Sequence, residues 1–541
     1  MKWRALIVLS AAQFLMVLDQ AVMNVSISQL VEDFDTTVTV IQGVITFYAL
    51  TMAALMITGG KIGDIWGRKK AFWVGLLIYG AGSALTAVSQ TVPMLLLGWS
   101  ILEGIGAALV LPALVALIAG SYHGSDRAVA YGVIGGVAGA GIAVGPILGG
   151  WVTTNYTWRW VFVGEVVLAM LIIVGVRWIT DPARVGKVPK IDWVGSALSA
   201  LGLGVFVYGI LQASEWGWIA NANSPWAPLG LALTPFVVGA GVVILGLFVR
   251  WTERRERLGL DPLFRLGLFN IRPLKGGLQM FLAQNLILMG VFFSIPLYLQ
   301  VVIGLDALDT GIRMLPVSVT MFIMSFVGAR LSSKFSPRQI VRSGLWILLV
   351  SVLVLAGTIE PSLEGLMFGL SMALLGVGMG LLASQLGNVI QSSVGAADRS
   401  EAGGLQYTSQ QLGSAIGTAL VGAIVISVLA SIFIVNIEND PRIPPEVSAE
   451  IGVALNGSVA FVSTDDVEVA LQSTDLSDEE ADAILEAYGS GQLTALRMGL
   501  MVAAAVVVFA LFLVRKIPAV SFEEMAAAQS DPDPEPEPIE A

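Results

Sequence analysis

Long apolar segments recur along this chain, and they constrain its fold more than any other feature. Each is about as long as the 20 residues that an α-helix needs to cross the hydrocarbon core of a bilayer. Because 56% of the 541 residues are hydrophobic and only 13% are charged, a soluble fold could not bury the apolar surface. The sequence predicts an all-α membrane protein with fourteen transmembrane helices. The candidate spans are residues 5–27, 42–62, 72–90, 94–118, 129–151, 160–179, 193–212, 229–250, 277–300, 313–330, 341–359, 363–386, 404–433 and 495–515.

The charged residues predict how these helices are oriented. All but four of the 29 Lys and Arg residues fall in the termini and in alternate loops on one side. Cytoplasmic loops are enriched in Lys and Arg, so both termini are expected in the cytoplasm of a bacterial-type cell, with the chain passing many times through its cytoplasmic membrane. No small-residue cleavage site follows Met1, so we expect an uncleaved first span. The four exceptions are Arg159, Arg313, Arg442 and Arg497.

The net charge of −11 comes from two segments. Residues 434–494 hold 13 acidic residues and one basic residue, and residues 517–541 hold 7 acidic residues and no basic residue. The remaining chain has 28 basic and 20 acidic residues. We expect 434–494 to form a small external hairpin or lid, with a helix capped by Ser477 and Glu480. The Pro- and Glu-rich tail 517–541 is predicted to be disordered.

Residue types exclude several functions. The chain has no cysteine and one histidine, His123, which rules out thiolate sites and a multi-histidine metal site. His123 itself is expected to be a solvated loop residue. No G-x-x-x-x-G-K-[ST] loop is found, so we do not expect ATP to drive the protein. No nucleophile and base pair stands out. We therefore expect no enzyme activity, no cofactor or metal, and no nucleic-acid partner.

Two glycine-rich motifs stand out. In "GGKIGDIWGRKK", residues 59–70, Gly60 and Gly67 permit a tight turn between helices. Asp64 can cap a helix or pair with a base, and Arg68 and Lys69 hold the loop inside. Taken alone, this motif is equally consistent with a basic loop and turn that has no further function.

The second motif is "GVAGAGIAVGPILGG", residues 136–150. Gly141, Gly145 and Gly149 recur every four residues, which gives one smooth helix face for close packing. Pro146 removes a backbone hydrogen bond and permits a bend.

Together these motifs resemble the major facilitator superfamily, the first its loop between helices two and three, the second its antiporter motif in helix five. "LDQAVMNVSISQL", residues 18–30, is similar to the first-helix motif of the 14-helix drug:proton antiporter branch, with Asp19 and Asn24 in the matching places. "TWRWVFVGE" at 157–165 and "PLYLQVVIGLDALDTGIRMLP" at 296–316 also look like that branch.

The resemblance implies the major facilitator fold, with two six-helix halves and two inserted helices. The N-terminal half would span 1–180 and the C-terminal half 271–516, including the outer acidic segment 434–494. The inserted helices and an inner basic loop would occupy 181–270. Such halves rock about a central site and expose it to one side at a time.

Three acidic residues in the predicted spans are candidates for proton coupling or substrate binding. Asp19 matches a family position, or is a buried polar contact between helices. Glu103 lies in the middle of the fourth span. Glu165 either binds a cationic substrate or lies near the outer interface with Arg159. Acidic residues inside a membrane are rare and usually functional.

The fourth span departs from the family. In "GWSILEGIGAAL", residues 98–109, Ser100 stands where the family has an arginine that is linked to proton coupling. Lys or Arg is absent between Lys70 and Arg127, so no shifted replacement exists. We therefore predict that at least one of Glu103 and Asp19 carries a proton near neutral pH. Trp99, Trp151, Trp158 and Trp160 are predicted to be interface anchors.

The resemblance implies a proton-coupled secondary transporter that exports hydrophobic compounds, cationic ones included, as in multidrug efflux. Its partners would be the small-molecule substrate, protons and the lipid bilayer. Two alternatives stay open: a dedicated exporter of a lipid, amino acid or metabolite, and a non-transporting membrane scaffold or sensor that uses 434–494 as its partner site.

Overall fold

The computed structural model describes residues 3–122, 124–180, 190–219, 224–332, 334–363, 365–395, 399–448, 461–472 and 476–519. Within these ranges the chain is almost entirely helical and has no β-strand. This confirms the predicted all-α class. Apolar side chains from helices along the whole described chain share one continuous buried core.

The first part of the chain forms α1 (Arg4–Val25), α2 (Ile27–Asp33), α3 (Val38–Trp66), α4 (Arg68–Ala87), α5 (Val92–Leu95), a π-helical stretch (Leu96–Glu103), α6 (Gly104–Ser121), α7 (Gly124–Asn155) and α8 (Arg159–Gly175). The middle part forms α9 (Trp193–Leu211), α10 (Ala213–Trp216) and α11 (Thr234–Arg257). The last part forms α12 (Arg272–Leu297), α13 (Ala307–Leu331), α14 (Pro337–Gly357), α15 (Gly365–Ser392), α16 (Arg399–Asn439), α17 (Thr464–Leu471) and α18 (Asp478–Leu513).

The predicted spans coincide with helices. In the described part of the chain, 12 helical segments are long and apolar enough to cross a membrane. The two other predicted spans, 72–90 and 129–151, overlap α4 and α7, which have 20 and 32 residues. The total of fourteen membrane crossings is compatible with this arrangement and stays a prediction.

The packing of the helices divides between the two ends of the chain. α1 packs on α7 and α8, α3 on α6, and α4 on α6 and α8. After α11, α12 packs on α16 and α18, and α15 on α13 and α14. The two groups meet where α7 packs on α13 and α3 on α16. The half boundaries 1–180 and 271–516 stay a prediction.

The middle helices lie against the seam between these two groups. α9 packs on α11, α3 and α16. Leu50 of α3, Val207 of α9 and Ala415 of α16 belong to one buried apolar cluster. The Thr58 hydroxyl donates a hydrogen bond to the Ser196 Oγ over 2.9 Å. The pair of α9 and α11 therefore contacts both groups of helices through α9.

At the predicted inner side, the segment 258–271 that follows α11 bridges the same two groups, and we call it the inner strap. The Arg265 guanidinium pairs with Glu401 of α16 at 3.2 Å, and the Arg265 backbone N–H donates to the same carboxylate. The Lys61 ammonium of α3 donates to the Pro262 carbonyl. The inner strap thus ties α3 to α16.

At the predicted outer side, two contacts also cross the seam. The Gln300 amide donates to the Val25 carbonyl over 2.9 Å. The Leu308 backbone N–H donates to the Thr154 hydroxyl over 3.1 Å. The two helix groups are therefore held together at both ends of the described bundle.

The described part of the acidic segment 434–494 includes the ends of two long helices. α16 and α18 have 41 and 36 residues and pack on each other, so at 1.5 Å per residue each exceeds a bilayer core of about 30 Å. The predicted cap is confirmed, because Ser477 and Glu480 form a reciprocal capping box. Of the predicted disordered tail 517–541, residues 520–541 lie outside the described residues.

Arg442 joins the two arms of this outer hairpin. Its guanidinium lies 2.7 Å from Asp440 and 2.8 Å from Glu486 of α18. These hydrogen bonds from Arg442 lower the pKa of Asp440 to about 2. The pair is therefore ionised over the whole physiological pH range.

Candidate functional site

The three predicted acidic residues meet inside the first group of helices. Asp19 comes from α1, Glu103 from the end of the π-helical stretch, and Glu165 from α8. One carboxylate oxygen of each lies within 4.8 Å of those of the other two. All three are buried, with 1%, 0% and 2% of their surface exposed. We call Asp19, Glu103 and Glu165 the carboxylate cluster.

Neutral groups hold the cluster in place. The Trp99 indole N–H donates to Asp19 over 2.8 Å. The hydroxyls of Tyr79 and Ser83 donate to one oxygen of Glu165 over 3.0 and 3.3 Å. The Thr86 hydroxyl contacts Glu103 over 3.3 Å. These donors come from α4 and the π-helical stretch, so several helices converge on the cluster.

One oxygen of each carboxylate in the cluster has no hydrogen-bond partner among the described residues. Within the ranges that the structure describes, no Lys, Arg or His side chain lies within ion-pair distance of the cluster. Buried carboxylates without a cation must bind protons or an outside cation. The arrangement can therefore exchange protons, and its oxygens could also hold a cationic group.

Close helix packing explains why the cluster forms here. A Cβ added to Gly82 of α4 would lie 2.6 Å from the Glu103 Cγ, and one added to Gly98 would lie 2.6 Å from the Thr86 hydroxyl. Both distances are too short for any side chain, so only glycine lets α4 approach this stretch. The π-helical turns bury Trp99, Ser100 and Glu103 together. Such turns are rare and often mark functional sites.

Ser100, predicted to stand where the family has an arginine, lies in the same π-helical stretch as Glu103. Its hydroxyl donates to the Val44 carbonyl of α3 over 2.7 Å, and the side chain is fully buried. Ser100 thus anchors the π-helical stretch to α3 and brings no positive charge to the cluster.

The prediction that Trp99 and Trp158 are interface anchors is wrong. Trp99 is 1% exposed, donates to Asp19, and stacks on Tyr48 with ring centroids 4.7 Å apart. Trp158 is fully buried. Trp151 and Trp160 are about half exposed, as expected of anchors. Apolar periodicity could not separate the two pairs, because a tryptophan satisfies either environment.

Arg159 pairs with a different acid from the one that the sequence suggested. Its guanidinium lies 2.6 Å from Asp33 of α2, and the Trp158 indole donates to the same carboxylate over 2.8 Å. Burial raises the pKa of Asp33, but the hydrogen bonds from Trp158 and Arg159 outweigh it and lower this pKa overall. Glu165 lies in the carboxylate cluster, whereas Arg159 pairs with Asp33; the predicted binding of a cationic substrate by Glu165 stays a prediction.

The glycines of the second motif pack directly on the helix that carries Asp19. Added Cβ atoms on Gly141, Gly145 and Gly149 would lie 3.0, 2.3 and 2.8 Å from Val17, Ala21 and Val22 of α1. On another side of α7, the Pro146 carbonyl would lie 2.2 Å from a Cβ on Gly311 of α13. The smooth face predicted for α7 therefore contacts α1, and the same helix lies at the seam.

The first motif forms the turn between α3 and α4. Gly67 has φ +101°, a conformation that side chains rarely adopt, and Arg68 pairs with Asp64 at 3.4 Å. Arg68 also donates to the Ala116 carbonyl of α6 over 3.2 Å. Gly60 faces Pro112 of α6, and Lys69 lines a surface groove. His123 and the side chain of Asn24 lie outside the described residues.

Comparison with known proteins gives a consistent result. Residues 9–418 match the family described as Major Facilitator Superfamily. The chain is 31% identical to the probable actinorhodin transporter of Streptomyces coelicolor, over 80% of this chain and 73% of that protein. It is 27% identical to the multidrug efflux pump LfrA of Mycolicibacterium smegmatis, over 87% of this chain and 90% of that protein.

Similar solved structures share the fold. A bacterial homologue of the human lysosomal transporter Spinster has a TM-score of 0.59 at 15% identity, covering 95% of this chain and 97% of that one. A D-xylose–proton symporter has a TM-score of 0.55 at 13% identity, covering 78% and 90%. At these identities the likeness concerns the fold alone.

Proposed function

The chain belongs to the Major Facilitator Superfamily, so it is a membrane transporter and not an enzyme, and from this premise we propose that it exports hydrophobic compounds, cationic ones included, in exchange for protons. The names of its relatives support the direction of transport. They include a tetracenomycin C resistance and export protein as well as the multidrug pump. Neither the dedicated exporter nor the scaffold reading is favoured by these relatives.

The carboxylate cluster is the observation that carries proton coupling. At 4.8 Å and an effective dielectric constant of about 20, two ionised carboxylates repel each other by about 3.5 kcal/mol. Three ionised groups would therefore repel by about 10 kcal/mol, with no described cation in contact to offset it. The first bound proton removes two of the three repulsions, so the cluster holds at least one proton as a shared unit.

This sharing compensates for Ser100. The cluster needs no arginine to balance its charge, because protons or a cationic substrate do so. When a positively charged group of the substrate enters, it stabilises the ionised carboxylates and displaces protons. When the substrate leaves on the outer side, protons return to the cluster. Competition for the same oxygens thus couples the two flows.

Alternating access requires that the seam open on one side at a time. We assign the inner strap, with Arg265 on Glu401 and Lys61 on Pro262, as the inner latch. The outer latch consists of the contacts from Gln300 to Val25 and from Leu308 to Thr154. The close face between α7 and α1 transmits seam movement to Asp19, because it has no spare space.

The test uses inverted membrane vesicles with an acid interior and a fluorescent reporter of the pH gradient. Adding a lipophilic cationic dye is expected to dissipate part of the gradient in vesicles that contain the protein. The variants Asp19→Asn, Glu103→Gln and Glu165→Gln should each lose at least 90% of this response at equal protein levels. Glu446→Gln, on the exposed outer segment, is the matched control and should respond like the unmodified chain.

Two results would contradict the proposal. If no compound of a broad hydrophobic panel changes the gradient, proton exchange is ruled out. If dye enters the vesicle lumen at an unchanged rate in all three cluster variants, the cluster takes no part in transport.

A further inference from the structure

A basic groove lies on the surface of the helix bundle, away from the carboxylate cluster. It has a volume of about 450 Å³ and runs between the start of α4 and the end of α8. Its lining includes Lys69, Lys70 and Arg177, together with Trp73, Ile173 and Val174. With the predicted orientation, the groove opens at the cytoplasmic leaflet. We call it the α4–α8 groove.

All the charged side chains that line this groove among the described residues are basic. In the same ranges no carboxylate pairs with Lys69, Lys70 or Arg177. Three cations in one concave site repel each other and attract an anion.

Tryptophans place the groove at the level of lipid headgroups. The Lys70 ammonium lies 5.9 Å from the centre of the Trp66 ring, and the Arg177 guanidinium lies 5.1 Å from that of Trp178. Both of these indoles, and that of Trp73, are partly exposed. Partly exposed tryptophans are typical of the membrane–water boundary.

An apolar strip continues from the groove along α8. Met170, Leu171 and Val174 are all more than half exposed, as expected of side chains that face acyl chains. The cationic end and the apolar strip together match the two parts of a phospholipid. A free phosphate would use only the cations.

We propose that the α4–α8 groove binds an anionic phospholipid of the cytoplasmic leaflet. The lipid phosphate lies between Lys70 and Arg177, with Lys69 beside it, and an acyl chain follows Ile173 and Val174. Basic pockets between transmembrane helices on the cytoplasmic side are suited to such headgroups. The bound lipid links α4 to α8, the two helices that supply Tyr79, Ser83 and Glu165 to the site.

The test measures lipid binding directly, by native mass spectrometry and thermal unfolding of the full chain in detergent. Phosphatidylglycerol and phosphatidylcholine are titrated in two parallel series. We expect phosphatidylglycerol alone to raise the unfolding temperature. The double variant Lys70→Gln, Arg177→Gln should bind phosphatidylglycerol about 10- to 30-fold more weakly, because each of the two removed cations contributes a similar part of the free energy of binding to an anionic lipid.

Two control variants make the test specific. Arg254→Gln with Arg257→Gln removes the same charge from the predicted inner side outside the groove, and should bind as the unmodified chain does. Lys70→Arg with Arg177→Lys keeps the charge, and should bind within about 3-fold; it also decides the question if the neutral variant does not fold. Inorganic phosphate at millimolar concentration should not compete.

The proposal is overturned if the neutral variant keeps full affinity, if both neutral variants lose it equally, or if the charge-conserving variant loses it. Stabilisation by inorganic phosphate to the same extent would replace the lipid with a free anion. Because binding is measured without transport, this result does not depend on proton exchange.

Discussion

The inner strap gives the most direct test of how this transporter moves. Arg265→Gln removes the guanidinium that pairs with Glu401, while the backbone N–H of residue 265 can still donate to the same carboxylate. The helix α3 stays tied to the strap through Lys61. We expect a partial shift towards the state that is open on the inner side, and a larger one in Glu401→Gln, which weakens both bonds.

The structure sets the size of this shift. At 3.2 Å and an effective dielectric constant of about 20, the two charges attract by about 5 kcal/mol. However, the side chains of Arg265 and Glu401 are 49% and 18% exposed. Solvent screening and lost side-chain freedom reduce such pairs to about 1 kcal/mol. The expected change is therefore about fivefold in the ratio of the two states.

The assay uses the absence of cysteine from the chain. A Cβ on Gly403 of α16 would lie 4.0 Å from the Val115 Cγ1 of α6, close to disulfide distance. In the double variant Val115→Cys, Gly403→Cys, oxidant-driven crosslinking reports the closed inner side. Because the rate follows the fraction of closed molecules, we expect Arg265→Gln to slow crosslinking by up to about fivefold, and the swap Arg265→Glu with Glu401→Arg to restore part of the rate.

The matched control is Arg257→Gln. Among the residues that the structure describes, Arg257 pairs only with Glu253 on its own helix, at 3.7 Å, and its side chain is 81% exposed. Its removal should leave the crosslinking rate unchanged. If Arg265→Gln and Arg257→Gln give equal rates, or if Glu401→Gln speeds crosslinking, the inner strap is not a latch.

Three further predictions address other parts of the molecule. Gly145→Leu should abolish transport at normal protein levels, since even a Cβ there would lie 2.3 Å from Ala21. Gly164→Ala, with open space around it, should transport normally. Equal transport by the two variants would contradict the packing argument. Trp99→Phe keeps the ring but removes the N–H that donates to Asp19, so dye-dependent proton movement should fall about tenfold, as a hydrogen bond to a charged group contributes about 1.5 kcal/mol or more; an unchanged response would show that Asp19 needs no such donor. In the outer hairpin, the pKa of Asp440 is lowered from 3.8 to about 2, so its bond to Arg442 is fully present above pH 4 and is lost only as the pH falls through about 2; limited proteolysis of 434–494 should be the same at pH 5 and pH 8, and faster in Arg442→Gln at both.

Much of the fold could be predicted from the chain alone. The apolar runs coincide with helices because a span of about 20 apolar residues has no other stable conformation in lipid, where backbone groups must be satisfied internally. The helix cap formed by Ser477 and Glu480 could also be predicted, since the residues of a capping box lie close together in the sequence. The boundaries were less accurate at α16 and α18, because polar sequence outside the membrane continues each helix without a break.

The candidate site could be predicted in its members but not in its assembly. Asp19, Glu103 and Glu165 were identifiable as acids in apolar spans, and Ser100 as a missing arginine. Nothing in their spacing showed that residues from α1, the π-helical stretch and α8 converge within 4.8 Å. The donors Tyr79, Ser83, Thr86 and Trp99 had no signal of their own, since hydroxyls and indoles are common in spans. From the sequence alone, Glu165 was a candidate partner of Arg159; in the structure Arg159 pairs with Asp33.

By itself, the sequence determined the class of this protein, its family and the residues able to carry a proton, because those properties depend on composition and on motifs that are local along the chain. Only the tertiary structure decided which acids lie together and which hydrogen bonds hold them. It also decided that the inner strap joins α3 to α16, and that Lys70 and Arg177 face one groove. The physical reason is that charge interaction and packing depend on distances between helices far apart in sequence, and those distances arise from the fold as a whole.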